Sequence, residues 1–358
     1  MFSRAFSVIL LIVATLAAPV SRAQLAEDSP LRASVDQSVE RGLRYLADTQ
    51  LPNGAYHGDS GSTAAIPALA GMAFLSKGHL PGEEPYGDVV NRAIDYVLDC
   101  ADMRPDARFR GYFGGRGNGR MYAHSIATLF LSEVSGMVDP ERQARIDEVL
   151  PLATRVILDA QDHTKTVDQD RGGWRYNPDS PDSDMSCSGW ALMALRSVRL
   201  NGGSVPGDAI EKAVAYIKRS QSPDKGGFVY RLQEGDRFIT TLTGAGILCL
   251  ELCGRHNDPA SLRAASYLSR DFRNLANQSN ALYGLYYTAQ GSFQVGGDLW
   301  RDFSAWMYET WLPRQRPDGA WERNEVSPAY ATSLCVLAFT VPYRQLPIYQ
   351  RDETVDET

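Results

Sequence analysis

The 358-residue sequence has no long run of like charge and no low-complexity tract. A charged interaction tail and a repetitive spacer are therefore absent as explanations of it. It has no basic excess either. The formal net charge is -7, whereas a nucleic-acid binder carries a basic face, so no nucleic-acid partner is expected. Cysteine is sparse, with Cys100, Cys187, Cys249, Cys253 and Cys335 spaced unlike a disulfide-rich scaffold. Export would allow some of them to pair. Each nevertheless lies in a helix-like apolar segment, so the expectation is buried small hydrophobes. Cys249 and Cys253, four apart on one helix face, rarely meet disulfide geometry. The five histidines, His57, His79, His124, His163 and His256, show no ligand spacing, so neither metal nor cofactor is expected.

Long apolar runs are also scarce. The longest spans Ala5 to Ala18, preceded by Arg4 and followed by Ser21-Arg22-Ala23. Small residues at 21 and 23 suit a cleavage site, so segment 1–23 reads as a secretory signal peptide. An uncleaved anchor is the alternative, but the run is short for a span of about 20 residues. The expected setting is the periplasm, cell surface or exterior, with no membrane span after cleavage.

What is present is ordinary globular material, 44% hydrophobic and 22% charged. It suffices for one large core or two modest ones. Within it one pattern recurs: Gln, a short gap, Gly, then an aromatic. Gln50 opens "QLPNGAY", Gln161 opens the longer "QDHTKTVDQDRGGW", Gln221 opens "QSPDKGGF" and Gln315 opens "QRPDGAW". A looser relative, "RFRGYFGG", spans Arg108 to Gly115.

The flanks recur too. Before each copy runs an amphipathic helix with one charged face, such as "VDQSVERGLRYLADTQ". After it runs a helix of small and apolar residues, such as "SCSGWALMALRSV" or "FITTLTGAGILCLEL". One helix of each pair then meets solvent and the other is buried on most sides. A degenerate unit, with Leu262–Phe272 outside and Gln278–Gln290 inside, completes six hairpins and lacks the Gly-aromatic turn. Stacked hairpins form an open solenoid or a closed ring. The first and last inner helices are as apolar as the middle ones, which favours closure. The expected fold is an all-α, α/α toroid over 30–345, followed by a polar tail at 346–358.

On these copies the sequence resembles the prenyltransferase and squalene-cyclase repeat family, over nearly all of the chain after residue 23. The resemblance implies that the turn is a structural clasp, in which Gln satisfies helix-end groups and the aromatic packs on its neighbour. It speaks for architecture, since fold does not select function. Terpene cyclases of this family carry Asp-x-Asp-Asp-Thr after a Gly-Gly-Trp turn. Here Gly172-Gly173-Trp174 leads to Asp182, Ser183, Asp184, Met185 and Ser186. Asp184 matches the proton donor and Asp182 its partner, whereas Met185 stands in place of the last Asp and Ser186 in place of Thr. The structural alternative is that both acids serve a helix N-terminus.

Zinc-dependent protein prenylation requires a Cys where Ser186 stands and a His near Tyr330 to Thr332. Neither is present. The Gly-Cys-Gly-Glu-Gln run of thioester domains is also missing; "LCGRH" at Leu252 is not that motif. A polar set at the starts of the inner helices, Asp59, His124, Asp184, Asp236, Asn280 and Tyr330, is expected to ring one mouth of the barrel. The fifth inner helix, "SNALYGLYYTAQ", is unusually aromatic and is a candidate cavity wall through Tyr283, Tyr286 and Tyr287.

Three functions follow. The first is a terpenoid-cyclase-like toroid that binds or cyclises an isoprenoid or lipid. Asp184 and Asp182 would be catalytic, with His124, Asp236, Tyr283, Tyr286 and Tyr330 on the ligand. The second is a non-catalytic binding or scaffolding toroid. The third is a carbohydrate-active barrel, which needs paired carboxylates in a cleft.

Overall fold

The computed structural model describes residues 30–57, 64–114, 120–322 and 327–349. Segment 1–23, Asp59 and residues 350–358 of the C-terminal tail lie outside the described residues. Among the described residues there are twelve α-helices in two alternating sets. The outer set is α1 (Pro30–Thr49), α3 (Gly87–Asp99), α5 (Pro140–Asp162), α7 (Gly207–Arg219), α9 (Pro259–Asp271) and α11 (Gly297–Trp311). The inner set is α2 (Ala65–Ser76), α4 (Arg120–Val134), α6 (Met185–Leu200), α8 (Ile239–Leu252), α10 (Ala281–Val295) and α12 (Pro328–Phe339).

Charge pattern sorts the two sets. In α3 the buried positions Val90, Ala93, Ile94 and Val97 form one stripe, as helical periodicity requires. In α8 every residue from Ile239 to Glu251 is buried. Each inner helix packs on the next, and α12 packs on α2, so the ring closes as an α/α toroid. The tightest junction is α8 against α10, where glycines let the backbones approach. A Cβ on Gly244 would lie 2.5 Å from Thr288 N, and one on Gly291 would lie 2.6 Å from Gly244 O.

The clasps do more than end a helix. Each Gln reaches across to the outer helix of the next hairpin. Gln50 Nε2 donates to Val89 O of α3 at 3.0 Å, Gln161 to Ala209 O of α7 at 2.9 Å, and Gln221 to Ala260 O of α9 at 2.8 Å. Gln315 donates to Ser38 O of α1 at 2.8 Å, which ties the last hairpin to the first. The adjoining glycine must be glycine. Gly54 and Gly319 have φ of 88° and 93°, and a Cβ on either would lie within 2.3 Å of a neighbouring carbonyl oxygen. The looser copy at Gly111 follows the same plan: its φ is 85° and it packs on Leu152 of α5. The fifth hairpin replaces the clasp by a 3-10 turn, Phe272–Asn277, with Phe272 and Leu275 buried.

One boundary is corrected. The start of the expected polar tail is not polar surface: Leu346, Ile348 and Tyr349 are buried. They close the barrel at the C-terminal ends of the inner helices. Ile348 N donates to Glu133 of α4 at 3.1 Å, and Gln294 of α10 donates to Tyr349 O at 3.1 Å. Tyr286 and Tyr349 share a hydroxyl–hydroxyl bond there.

Candidate functional site

The opposite end is open. A cavity of about 460 Å³ sits at the N-terminal ends of the inner helices. All six contribute to it: Ala65, Tyr122, Ser186, Thr241, Tyr283 and Tyr330, from α2 to α12 in order. Two turns complete the wall, with Arg175 and Tyr176 before α6 and Tyr230, Glu234, Arg237 and Phe238 before α8. These turns follow two adjacent clasps, and each places a tyrosine two residues after the clasp aromatic. Tyr176 and Tyr230 consequently meet through their hydroxyls. Phe238 holds the left-handed φ of 58°, and its ring meets that of Tyr230 edge-on at 5.9 Å. A bulky residue held in that region stores local strain at the cavity rim.

Asp184 is fully buried behind this wall rather than part of it. It is the N-cap of α6. Its Oδ1 accepts from Cys187 N at 2.8 Å, and its Oδ2 lies 3.3 Å from Arg175 Nε and 3.4 Å from the Tyr230 hydroxyl. Burial pushes its pKa up to about 6, against the pull of the Cys187 N–H and Arg175. At neutral pH it is therefore mainly a carboxylate. Asp182 binds Arg175 at 2.9 Å and Arg231 at 3.5 Å. Both aspartates thus hold Arg175, the buried Asp184 and the partly exposed Asp182, while its guanidinium stacks on Tyr176 at 4.7 Å. Met185 and Ser186, where the resemblance expected Asp and Thr, go different ways. Met185 is core, with its N–H bonded to Tyr230 O, and Ser186 faces the cavity and donates to the Tyr283 hydroxyl at 2.6 Å.

Of the mouth residues expected from sequence, Tyr283, Tyr330 and Asn280 line the cavity. Besides Asp184, four others do not: His124, Asp236, Tyr286 and the fully buried Tyr287. His124 is fully buried, its Nδ1 accepting from Phe113 N at 3.2 Å and its Nε2 donating to Ala153 O at 3.0 Å. It takes the place that Ser188, Thr243 and Thr332 hold behind the clasp aromatics Trp174, Phe228 and Trp321. Burial lowers its pKa to about 4, so it is a neutral structural residue. Asp236 is an exposed partner of Lys225. Tyr286 lies beneath the floor, stacked under Trp190 at 5.3 Å, and points its hydroxyl to the closed end.

Sequence reading missed Arg175, Tyr176, Tyr230 and Phe238. The signal available was the tyrosine two positions after the clasp aromatic in "GGWRY" and "GGFVY".

Among the described residues, no group of three or more His, Cys, Asp or Glu side chains could hold a metal ion. The five cysteines are unpaired, and all but Cys100 are buried. No described helix is long and apolar enough to cross a membrane.

Fold and site together define an α/α toroid with a ligand-sized cavity at one mouth. No protein-family model matches the chain, and no curated protein matches it by sequence. Solved structures do match. An inactive variant of the GH76A α-1,6-mannanase of Salegentibacter sp. HEL1_6, in complex with α-1,6-mannotriose, is 13% identical with a TM-score of 0.61, covering 86% of this chain and 99% of that one. The type II terpene cyclase MstE from Scytonema is 14% identical with a TM-score of 0.54, covering 89% and 100%. Its complex with geranylgeranyl dihydroxybenzoate matches at a TM-score of 0.53 and 14% identity, covering 88% and 99%. At these identities the likeness is one of fold.

Proposed function

We propose that the protein is a binding toroid whose mouth cavity holds one small amphipathic ligand, with no protonation chemistry at Asp184. The observation that carries this reading is the wall itself. Seven aromatic side chains line the cavity, whereas the one candidate acid is buried behind Arg175. Protonating an alkene needs an acid more ready to release its proton than an ordinary carboxyl. Burial makes Asp184 a weaker acid, and Arg175 stabilises the form without the proton. The hydroxyl nearest it, on Tyr230, is weaker still, because burial and the Asp184 charge push its pKa upward. Asp182 and Asp184 then serve as positioning residues for Arg175.

The cyclase reading keeps one support: Asp184 follows a Gly-Gly-Trp turn in a fold shared with a terpene cyclase that binds a geranylgeranyl substrate. A glycosidase requires two carboxylates facing one cleft. Among the described residues of the wall only Glu234 is acidic, and Arg237 and Arg231 pair with it. Export remains part of the proposal and rests on residues 4–23 alone.

The test is mass spectrometry of aqueous and organic extracts of natively purified protein, compared with Ile126→Trp, which fills the cavity. One compound should be enriched by the wild type and lost in the variant. Enrichment of nothing in either sample would sink the reading. So would a cyclised product from a polyprenyl substrate that disappears in Asp184→Asn.

A further inference from the structure

Among the described residues of the cavity wall, charge sits on one side only. Arg175 comes from the turn before α6, and Glu234 and Arg237 come from the turn before α8. The other four inner helices, α2, α4, α10 and α12, contribute only uncharged side chains, Ala65, Tyr122, Ile126, Tyr283 and Tyr330, joined by the Asn280 cap of α10. A cavity polarised in this way suits a ligand with one charged end and an apolar body.

The sign of that end follows from which groups are already engaged. Glu234 holds Arg231 at 3.8 Å through one oxygen and Arg237 at 2.6 Å through the other. The arginines keep donors to spare. Arg175 gives Nη1 to Asp182 at 2.9 Å and sets Nε 3.3 Å from Asp184, which leaves Nη2 without a protein partner among the described residues. Nη2 is not one of the buried unpartnered atoms, unlike Trp190 Nε1 and Thr241 Oγ1, and the Arg175 side chain is 16% exposed. Arg237 gives Nη1 to Glu234 and is otherwise exposed at the rim. An incoming head therefore meets positively charged N–H donors, and the matching head is an anion. A planar carboxylate fits a guanidinium edge. A doubly charged phosphate monoester fits less well, since Asp182, Asp184 and Glu234 stand beside the same arginines and repel it more. We infer that the mouth cavity takes an amphipathic monocarboxylate, with its carboxylate on Arg175 and its apolar body against Trp190 and Tyr283. This rests on the binding reading above and names the charge and chemistry of the ligand's polar end.

The experiment is calorimetric titration of the intact protein with decanoate, decanol, decylammonium and decyl phosphate below their micellar concentrations, which share one chain and differ in the head. The pair 2-naphthoate and 2-naphthol repeats the acid–alcohol comparison on a flat body. In at least one pair the acid should bind about tenfold tighter than the alcohol, with the phosphate weaker than the carboxylate and the ammonium weakest. Arg175→Met removes the guanidinium and keeps an apolar stem, so the acid should fall to the level of the alcohol while the alcohol is unchanged. Thermal melts verify that the variant folds. Should it not, the exposed Arg237→Met should still weaken the acid and spare the alcohol. An acid no tighter than its alcohol, a preference for the ammonium, or an acid advantage that survives in Arg175→Met overturns the inference. Equal binding of acid and alcohol that is lost in Ile126→Trp overturns the carboxylate assignment and leaves the cavity reading intact. No binding by any probe also overturns the carboxylate assignment, and the binding reading is then decided separately by the extracts described above.

Discussion

Each end of the inner ring buries a carboxylate, and the two are handled differently. At the mouth, Asp184 has a cation, Arg175, together with a backbone N–H from Cys187. At the closed end, Glu133 has, among the described residues, only the Ser197 hydroxyl at 2.5 Å and the Ile348 N–H at 3.1 Å. Burial raises both pKa values, to about 6 for Asp184 and to about 7 for Glu133. The mouth spends its polar groups on holding an arginine at a cavity wall. The closed end uses them to fasten the chain terminus. The two buried polar clusters thus differ in that open space adjoins only the one at the mouth.

The largest test removes the closure. Deleting 346–358 exposes the surface that Leu346, Ile348 and Tyr349 cover and strips Glu133 and Gln294 of partners. The expected loss is about 4 kcal/mol in denaturant unfolding. The mouth cavity should still bind ligand if the truncated ring folds.

Glu133→Gln sharpens the electrostatic half of the contrast. The folded pKa lies above the unfolded one, so the folded state keeps its proton longer. The stability this carboxyl supports is full below about 4.5 and is lost as pH rises through about 7. The loss is roughly 3 kcal/mol between those limits, from a shift of that size in a fully buried group. Unfolding free energies at pH 5 and pH 8 should converge in the variant. An unchanged pH slope would show that Glu133 ionises as freely folded as unfolded.

Asp184→Ala should cost about 2 kcal/mol, because the α6 cap and one partner of Arg175 are both lost. Asp184→Asn retains the cap and should cost less. Equal losses would mean that the arginine contact, not the cap, dominates. The smallest effect is expected at Asp236→Ala, within about 0.5 kcal/mol, since Asp236 is exposed and gives up only Lys225 and the Ser222 hydroxyl. A larger change there would mean that its contacts with Lys225 and Ser222 carry more than an exposed pair does.

The sequence by itself determined the ring. Alternating charged and uncharged helices dictate two layers, and the Gln-Gly-aromatic copies mark the hairpins, because a left-handed turn against a neighbouring backbone admits only glycine. Even the ring-closing clasp at Gln315 was legible as a copy, although its partner, Ser38, lies far back in the chain. The site was legible only in part. Tyr283 stood out as an aromatic on an inner helix and Tyr330 as a polar residue at the start of one, but Tyr286, on the same helix as Tyr283, faces the other end of the barrel. His124 looked like chemistry and proved to be a clasp support, because the group it bonds is a backbone N–H eleven residues earlier. Asp184 matched a catalytic motif, yet its role depends on Arg175 and Tyr230. Tertiary structure alone decided these outcomes. Helical period assigns a residue to a face, whereas burial, partner and open space depend on loops brought together from different hairpins.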